Sequence, residues 1–349
     1  MINKRTVFVL GAGASCPYGY PTAAQLRELI CFEGGFRDKY FTYLTNSQVS
    51  QSIRDKKVSD VKHFIKIFKD SNIKSIDVFM ANNPKLAPTG KYVIAYEIFR
   101  AEINSYFGEE AKRRQELLTE VKKNPDRKRE LWGTPGFYGG DWYFYLYNKA
   151  VDGLVGKDAL PDFSNGNISF ITFNYDRSLE QFLYESLRNS FSEVSEEVII
   201  KALQWLKILH VYGQIAPLKW QNPQKYFKYK PQVNEDLLQS ASENLRTIYE
   251  EKENPELTEA KRLLQKADQI FFLGFGYNKE NMEVLGLPEL IQPECIVYGT
   301  AFNMITEEVK RLHSGIHKKR AHNENAYVSP EFTIISDVDC LMLLRKYLK

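Results

Sequence analysis

The run Thr6-Val-Phe-Val-Leu10, stopped by Gly11-Ala-Gly-Ala-Ser15 and followed by Pro21-Thr22, constrains this chain more than any other feature. A short β-branched and aromatic run bounded by glycine reads as a strand. Proline and threonine suit the start of a helix, here Ala23 to Ile30. Strand, glycine turn and helix form the first half of a βαβ unit.

After Gly166 the same grammar returns. Ile168–Phe173, Lys207–Tyr212, Gln269–Leu273, Cys295–Tyr298 and Phe332–Ile335 read as strands. Ser178–Leu187, Glu256–Lys266, Thr306–His313 and Leu341–Leu348 read as helices between or after them. Such alternation implies a mostly parallel sheet covered on both faces. Between about Glu33 and Gly166 the pattern is helical instead, with apolar residues at helical spacing in Val61–Phe68 and Tyr92–Phe99. The expected architecture is α/β. Residues 1–32 and 166–349 build a doubly wound, Rossmann-like parallel sheet, interrupted by a large helical insertion over 33–165.

Within the insertion, Glu109–Glu130 carries eight Lys/Arg and six Asp/Glu, a mixture that reads as a solvated helix face. Trp132–Tyr147 holds eight aromatics around Gly139-Gly140. That segment reads as packing within the insertion's own core, with a lid or oligomer contact as the alternative.

Composition excludes several classes. A 349-residue chain, 43% hydrophobic and 26% charged, is neither wholly disordered nor short of core-forming residues. The balance of 47 Lys+Arg against 44 Asp+Glu does not imply a nucleic-acid binder. Cysteines at 16, 31, 295 and 340 are too scattered for a disulfide scaffold or a zinc ribbon and fit a reducing cytosol. No apolar run approaches the roughly 20 residues of a membrane helix. Met1-Ile-Asn-Lys-Arg leads straight into the first strand, leaving no room for a signal peptide. A cytoplasmic protein is expected, with neither membrane nor direct nucleic-acid contact. Lys318-Lys-Arg320 with His322 reads as a solvent-facing basic loop, and the remaining histidines show no ligand spacing, so no metal is expected.

In a doubly wound sheet, ligands bind beyond the carboxyl ends of the strands. Four segments fall there. Gly11-Ala12-Gly13 lets the backbone approach a pyrophosphate, or is a plain strand-to-helix turn; Cys16 stands where a dinucleotide fingerprint has its third glycine. Asn174-Tyr-Asp176 is a helix cap, or an amide and a carboxylate aimed at a polar ligand. His210 is a satisfied core residue or a general base. Gly274-Phe275-Gly276 is the fourth.

Taken in order, these segments resemble the sirtuin family, and more closely its bacterial anti-phage-defence branch than the protein deacylases. Gly11–Ser15 with Tyr18-Gly-Tyr-Pro21 is similar to the family's glycine motif and following turn. Thr172-Phe173-Asn174-Tyr-Asp176 is similar to its Thr-Gln-Asn-Ile-Asp segment. His210-Val-Tyr212-Gly213 resembles the His-Gly motif, Gly274–Gly276 the Gly-Thr-Ser motif, and Asp337-Val338 the closing Gly-Asp adenine contact. The resemblance covers 6–31 and 168–349.

The resemblance implies NAD as substrate and its cleavage to nicotinamide and ADP-ribose. Asn174 would position water or the ribose hydroxyls, Asp176 would bind the nicotinamide amide, and His210 would act as base, with Tyr212 its rival. Gly11, Ala12, Gly13, Ser15, Pro21, Thr22, Phe173, Gly213, Gly274, Phe275, Gly276, Asp337 and Val338 would border the dinucleotide. It further implies a homo-oligomeric effector gated by a co-encoded sensor, either a hexameric DNA-translocase-like ATPase or a short Argonaute-type protein. Three departures stand out: the deacylases' zinc cysteines are missing, Phe173 replaces a ribose-contacting Gln, and His210 lies two residues before the expected place. A non-catalytic NAD or ADP-ribose sensor is the competing expectation, and the missing cysteines argue against a deacylase.

Overall fold

The computed structural model of the chain describes residues 2–31, 40, 42–43, 49–107, 140–156, 160–247, 250, 254–302, 304–321 and 332–349. Six strands form one all-parallel sheet: β1 (Thr6–Leu10), β2 (Ile168–Thr172), β3 (Lys207–His210), β4 (Gln269–Leu273), β5 (Ile296–Ala301) and β6 (Phe332–Ser336). Their order is β3-β2-β1-β4-β5-β6. The chain therefore winds outward one way from β1 and outward the other way from β4, the doubly wound arrangement expected from the sequence.

Why these residues form this sheet is visible in its register. Phe8 lies opposite both Phe170 and Phe271, and Phe271 opposite Tyr298. The rings stack across the strands, with centroids 5.2 Å apart for Phe8–Phe170 and 5.5 Å for Phe8–Phe271. Tyr298 continues the ladder to Tyr347 at 4.3 Å. Side chains alternate along a strand, so the ladder covers one face while Val7, Val9, Ile270 and Phe272 fill the other. All are buried except Tyr298, which is half-buried, and Tyr347. A slip of one residue would turn the ladder to the opposite face.

Thirteen helices occur among the described residues: α1 (Ala12–Ser15), α2 (Ala23–Cys31), α3 (Gln51–Asp70), α4 (Ile76–Asn82), α5 (Ala87–Ile103), α6 (Trp142–Val151), α7 (Ser178–Ser190), α8 (Glu196–Trp205), α9 (Glu235–Asn244), α10 (Pro255–Lys266), α11 (Lys279–Leu285), α12 (Thr306–Ala321) and α13 (Cys340–Tyr347). Many starts carry a side-chain cap: Ser75, Asp141, Asn234, Asn254 and Asp339 each accept a backbone N–H of the first turn. None of the described helices is long and apolar enough to cross a membrane.

Several sequence expectations shift. β3 ends at His210 rather than Tyr212, because Gly213 is left-handed (φ 79°) and its N–H turns back to the His210 carbonyl. β5 runs on to Ala301, past Gly299. Helices α8, α9 and α11 have no counterpart in the sequence reading, whereas α4 falls within the segment read as helical. The basic segment Lys318–Arg320 lies in the last turns of α12 rather than in a loop; its side chains, His322 and the charged stretch 109–130 lie outside the described residues, as does 132–139. The described part of the aromatic segment reaches beyond the insertion's own core. Trp142 Nε1 donates to the Ala14 carbonyl (2.8 Å), and Tyr143 stacks on Tyr18 at 3.8 Å, so α6 docks on the turn after β1.

The insertion is fastened to the sheet by a buried ion pair. Arg177, just before α7, donates from Nε to Glu102 Oε2 (2.8 Å) and from Nη2 to Glu102 Oε1 (2.9 Å), and both side chains are 0% exposed. Its remaining N–H groups reach the Phe227 and Lys228 carbonyls at 2.6 and 2.7 Å. Removing one partner strands a buried charge, which costs about 3–5 kcal/mol. Glu102→Gln and Arg177→Met should each lower the urea unfolding free energy by about that much, and the double variant should cost less than the sum of the two.

Candidate functional site

A cavity of about 620 Å³ opens beyond the carboxyl ends of β1 and β4. That is where the winding reverses, the place at which doubly wound sheets take ligands, and its volume suits a small-molecule site. Its floor is two turns, Gly11–Gly13 after β1 and Gly274–Gly276 after β4. Phe173, Tyr212 and Val338 follow their strands into the wall, and the start of α2 contributes Thr22. Asp77 of α4 brings the insertion to the same cavity.

The glycines answer first to each other. A Cβ on Gly11 would stand 2.5 Å from the Gly274 carbonyl oxygen, and one on Gly13 2.9 Å from Gly274 Cα. Gly274 is left-handed (φ 57°), and a Cβ there would collide with the Ala14 nitrogen. The Gly11 N–H donates to the Leu273 carbonyl (3.0 Å), Gly13 to Gly274 (3.1 Å) and Ala14 to Gly11 (2.9 Å). Much of the turn's donor capacity is thus used within the protein, and α1 is only one turn long. Gly276 differs: a Cβ there meets nothing nearer than 3.6 Å.

Thr22 starts α2 with a reciprocal cap. Its Oγ1 accepts from Gln25 N–H (3.2 Å), and Gln25 Oε1 accepts from Thr22 N–H (2.8 Å). Cys16, at the place of the third glycine, also lines the cavity. Burial first, and then the Asp176 charge, push its thiol up to about 12 against a Thr22 backbone hydrogen bond, so it stays protonated at neutral pH.

Asn174 and Asp176 sit one layer behind the wall. Asn174 Nδ2 donates to the Gly11 carbonyl (3.0 Å) and to Ser15 Oγ (2.9 Å), tying β2 to the glycine turn. Its Oδ1 is buried with no partner among the described residues, an acceptor whose unmet demand is worth about 1–3 kcal/mol. Asp176 Oδ1 accepts from the Ser178 N–H (3.1 Å) and from the Ser178 hydroxyl. Burial raises its pKa, and hydrogen bonds from Ser178 and Ser15 oppose the rise. Its geometry is that of a turn-forming cap at the entry to α7.

His210 is turned away from the cavity. Its Nδ1 donates to the Asn174 carbonyl (2.9 Å), while Nε2 lies 2.6 Å from Glu180 Oε1, which also accepts from Gln214 Nε2 (2.9 Å). Both ring nitrogens face acceptors, so each contact needs a proton and neither nitrogen keeps a lone pair for an incoming group. Of the two readings of His210, this geometry is that of a satisfied buried residue. Tyr212 is the residue after β3 that faces the cavity, its hydroxyl donating to Asn281 Oδ1 (2.7 Å). Ser15, Pro21, Gly213 and Asp337 also lie off the wall; Gly213 is held at its turn, where a Cβ would collide with the Asn244 carbonyl oxygen. Among these, Asp337 is exposed and left-handed (φ 60°).

Sequence reasoning did not reach Asp77, Gln25 or Asn281. Gln25 had a signal, the Thr-x-x-Gln box. Asp77 had none, because it joins the site across 98 residues through Tyr175.

Gly11→Ala should destabilise by at least 1–3 kcal/mol through overpacking, whereas Gly276→Ala should stay within about 0.5 kcal/mol of the parent in urea unfolding. Burial lowers the His210 pKa, but the Glu180 charge and hydrogen bond and the Asn174 carbonyl outweigh it, and the net shift is upward from 6.5. A raised pKa stabilises the fold while the imidazole is protonated; the contribution is full below the unfolded value and fades as pH rises through the folded one. The melting-temperature gap between wild type and His210→Gln should therefore be widest near pH 5 and narrow towards alkaline pH.

Compared with protein families and with curated proteins, the chain matches no family model and no curated sequence.

Proposed function

We propose that this chain is an NAD glycohydrolase that cleaves the nicotinamide–ribose bond, giving nicotinamide and ADP-ribose. The observation that carries the reading is the cavity at the winding reversal, floored by two glycine turns packed on each other. Dinucleotides bind such crevices in doubly wound sheets. The order of motifs that resembles the sirtuin family supplies the reaction class.

Nicotinamide leaves as a neutral ring, so the chemistry asks mainly for stabilisation of an oxocarbenium-like ribose and placement of water. On this reading Gly11–Gly13 and Gly274–Gly276 border the dinucleotide, and Tyr212 with Asn281 forms a polar wall. Asn174 acts from beneath the glycine turn, which its Nδ2 holds through the Gly11 carbonyl. Asp176 shapes the start of α7, and His210 is a positioning residue that holds the Asn174 carbonyl. An NAD-depleting enzyme has to be restrained in its own cell. Gating by a co-encoded ATPase or Argonaute-type partner, or by self-assembly, belongs to the same proposal.

One observation favours a second reading. With both ring nitrogens of His210 engaged, the motif segments present no free base to the cavity, as suits a module that binds NAD or ADP-ribose without cleaving it.

Chromatography of NAD incubated with the purified protein, alone and with its co-encoded neighbour, separates the two. Wild type should release nicotinamide and ADP-ribose, and Asn174→Ala should lower the rate at least 100-fold. NAD bound but recovered intact in every sample would establish the sensor instead.

A further inference from the structure

The cavity wall holds a carboxylate that none of the strand-end motifs supplies. Asp77 stands in the first turn of α4, half-buried, and lines the cavity from the insertion side. Its Oδ1 accepts the hydroxyl proton of Tyr175, a buried residue at the centre of the Asn174–Asp176 segment. The sheet half of the molecule thus fixes the direction of a carboxylate borne by the insertion. Among the described residues no other side chain hydrogen-bonds this carboxylate, and Asp77 is only half-buried.

The other charged groups on the wall are placed differently. Asp339 has both oxygens engaged, Oδ1 by the Met342 N–H (2.7 Å) and Oδ2 by the Gly140 N–H (3.1 Å). Glu280 and Lys74 stand exposed, where water screens them. Asp77 joins partial burial to an oxygen anchored by Tyr175. Burial raises its pKa, and the Tyr175 hydrogen bond and the residue's own backbone N–H draw it only part of the way back, the environment of a carboxylate that gains from a cationic neighbour.

Resting on the dinucleotide reading above, we propose that Asp77 is a specificity-determining residue whose carboxylate recognises the positively charged pyridinium ring of the dinucleotide, so that the cavity selects the oxidised over the reduced form. The two forms have nearly the same size and differ by one positive charge on the ring. A fixed carboxylate at a partly desolvated wall discriminates them by charge, where an apolar wall would not. Tyr175 is the positioning residue for this contact.

The test is calorimetric titration of the full chain, with and without its co-encoded neighbour, using carba-NAD, which keeps the charged ring and cannot be cleaved, against NADH. Wild type should prefer carba-NAD at least tenfold, about 1.4 kcal/mol. Asp77→Asn, which still offers Tyr175 an acceptor, should bring the two affinities within about twofold by weakening carba-NAD alone. Tyr175→Phe keeps the charge and frees its direction, so it should give an intermediate preference; it also serves should the first variant not fold. Equal affinities in wild type, or a preference that survives Asp77→Asn, would overturn the assignment while leaving dinucleotide binding intact. Failure of wild type to bind either ligand would remove the dinucleotide reading and this one with it.

Discussion

The buried Arg177–Glu102 pair is the contact through which sheet and insertion act as one molecule. Five N–H donors in a planar fork suit Arg177 to hold one carboxylate and several carbonyls at once. Burial raises the Glu102 pKa, and the hydrogen bonds and charge of Arg177 recover only part of the rise. The pair therefore contributes direction more than net stability, as expected when desolvation rivals Coulomb attraction. It fixes α5 against the entry to α7 and pins the loop carrying Phe227 and Lys228 over both.

Beside that pair, the segment after β2 works as a two-sided coupler. Residues 173–177 lie outside any helix or strand. Asn174 reaches the glycine turn and Asp176 the start of α7, whereas Tyr175 reaches Asp77 and Arg177 reaches Glu102 in the insertion. Four consecutive residues thus serve two bodies. His210 adds a third tie through the Asn174 carbonyl. These hydrogen bonds join α4 and α5 to the cavity floor through one short segment.

Much of this fold was legible in the sequence, for physical reasons that also mark where legibility ended. β1, β2, β4 and β6 are β-branched and aromatic runs stopped by glycine or polar residues, and they stand within a residue of expectation. β5 was read short because Gly299-Thr-Ala301 looks like a turn; the glycine is there because Tyr277 lies over it, leaving no space for a Cβ. α9 was missed because its Asn234 cap precedes a mixed polar sequence whose apolar positions are few. The cavity's position could be reasoned from strand ends, but its membership could not. His210 and Tyr212 share a strand-like spacing, and only the backbone reversal at Gly213 decides which of them faces the ligand side. Asp77 has no motif at all: its place depends on a crossing between parts of the chain that no local pattern records.

The glycine motif illustrates a wider point about how such sites are built. Gly11, Gly13 and Gly274 are required by one another before any ligand is considered, since each would drive a Cβ into the facing backbone. Their presence reports that two strand-end turns touch, and that contact creates a crevice at the winding reversal. It does not say what occupies the crevice. The polar side chains on its wall arrive from elsewhere: Tyr212 from the turn after β3, Asn281 from α11, and Asp77 from the insertion. In this chain the sheet furnishes a backbone floor of two packed turns, and the helical insertion furnishes, among the described residues of the wall, a half-buried carboxylate, so the cavity is built at the junction between them.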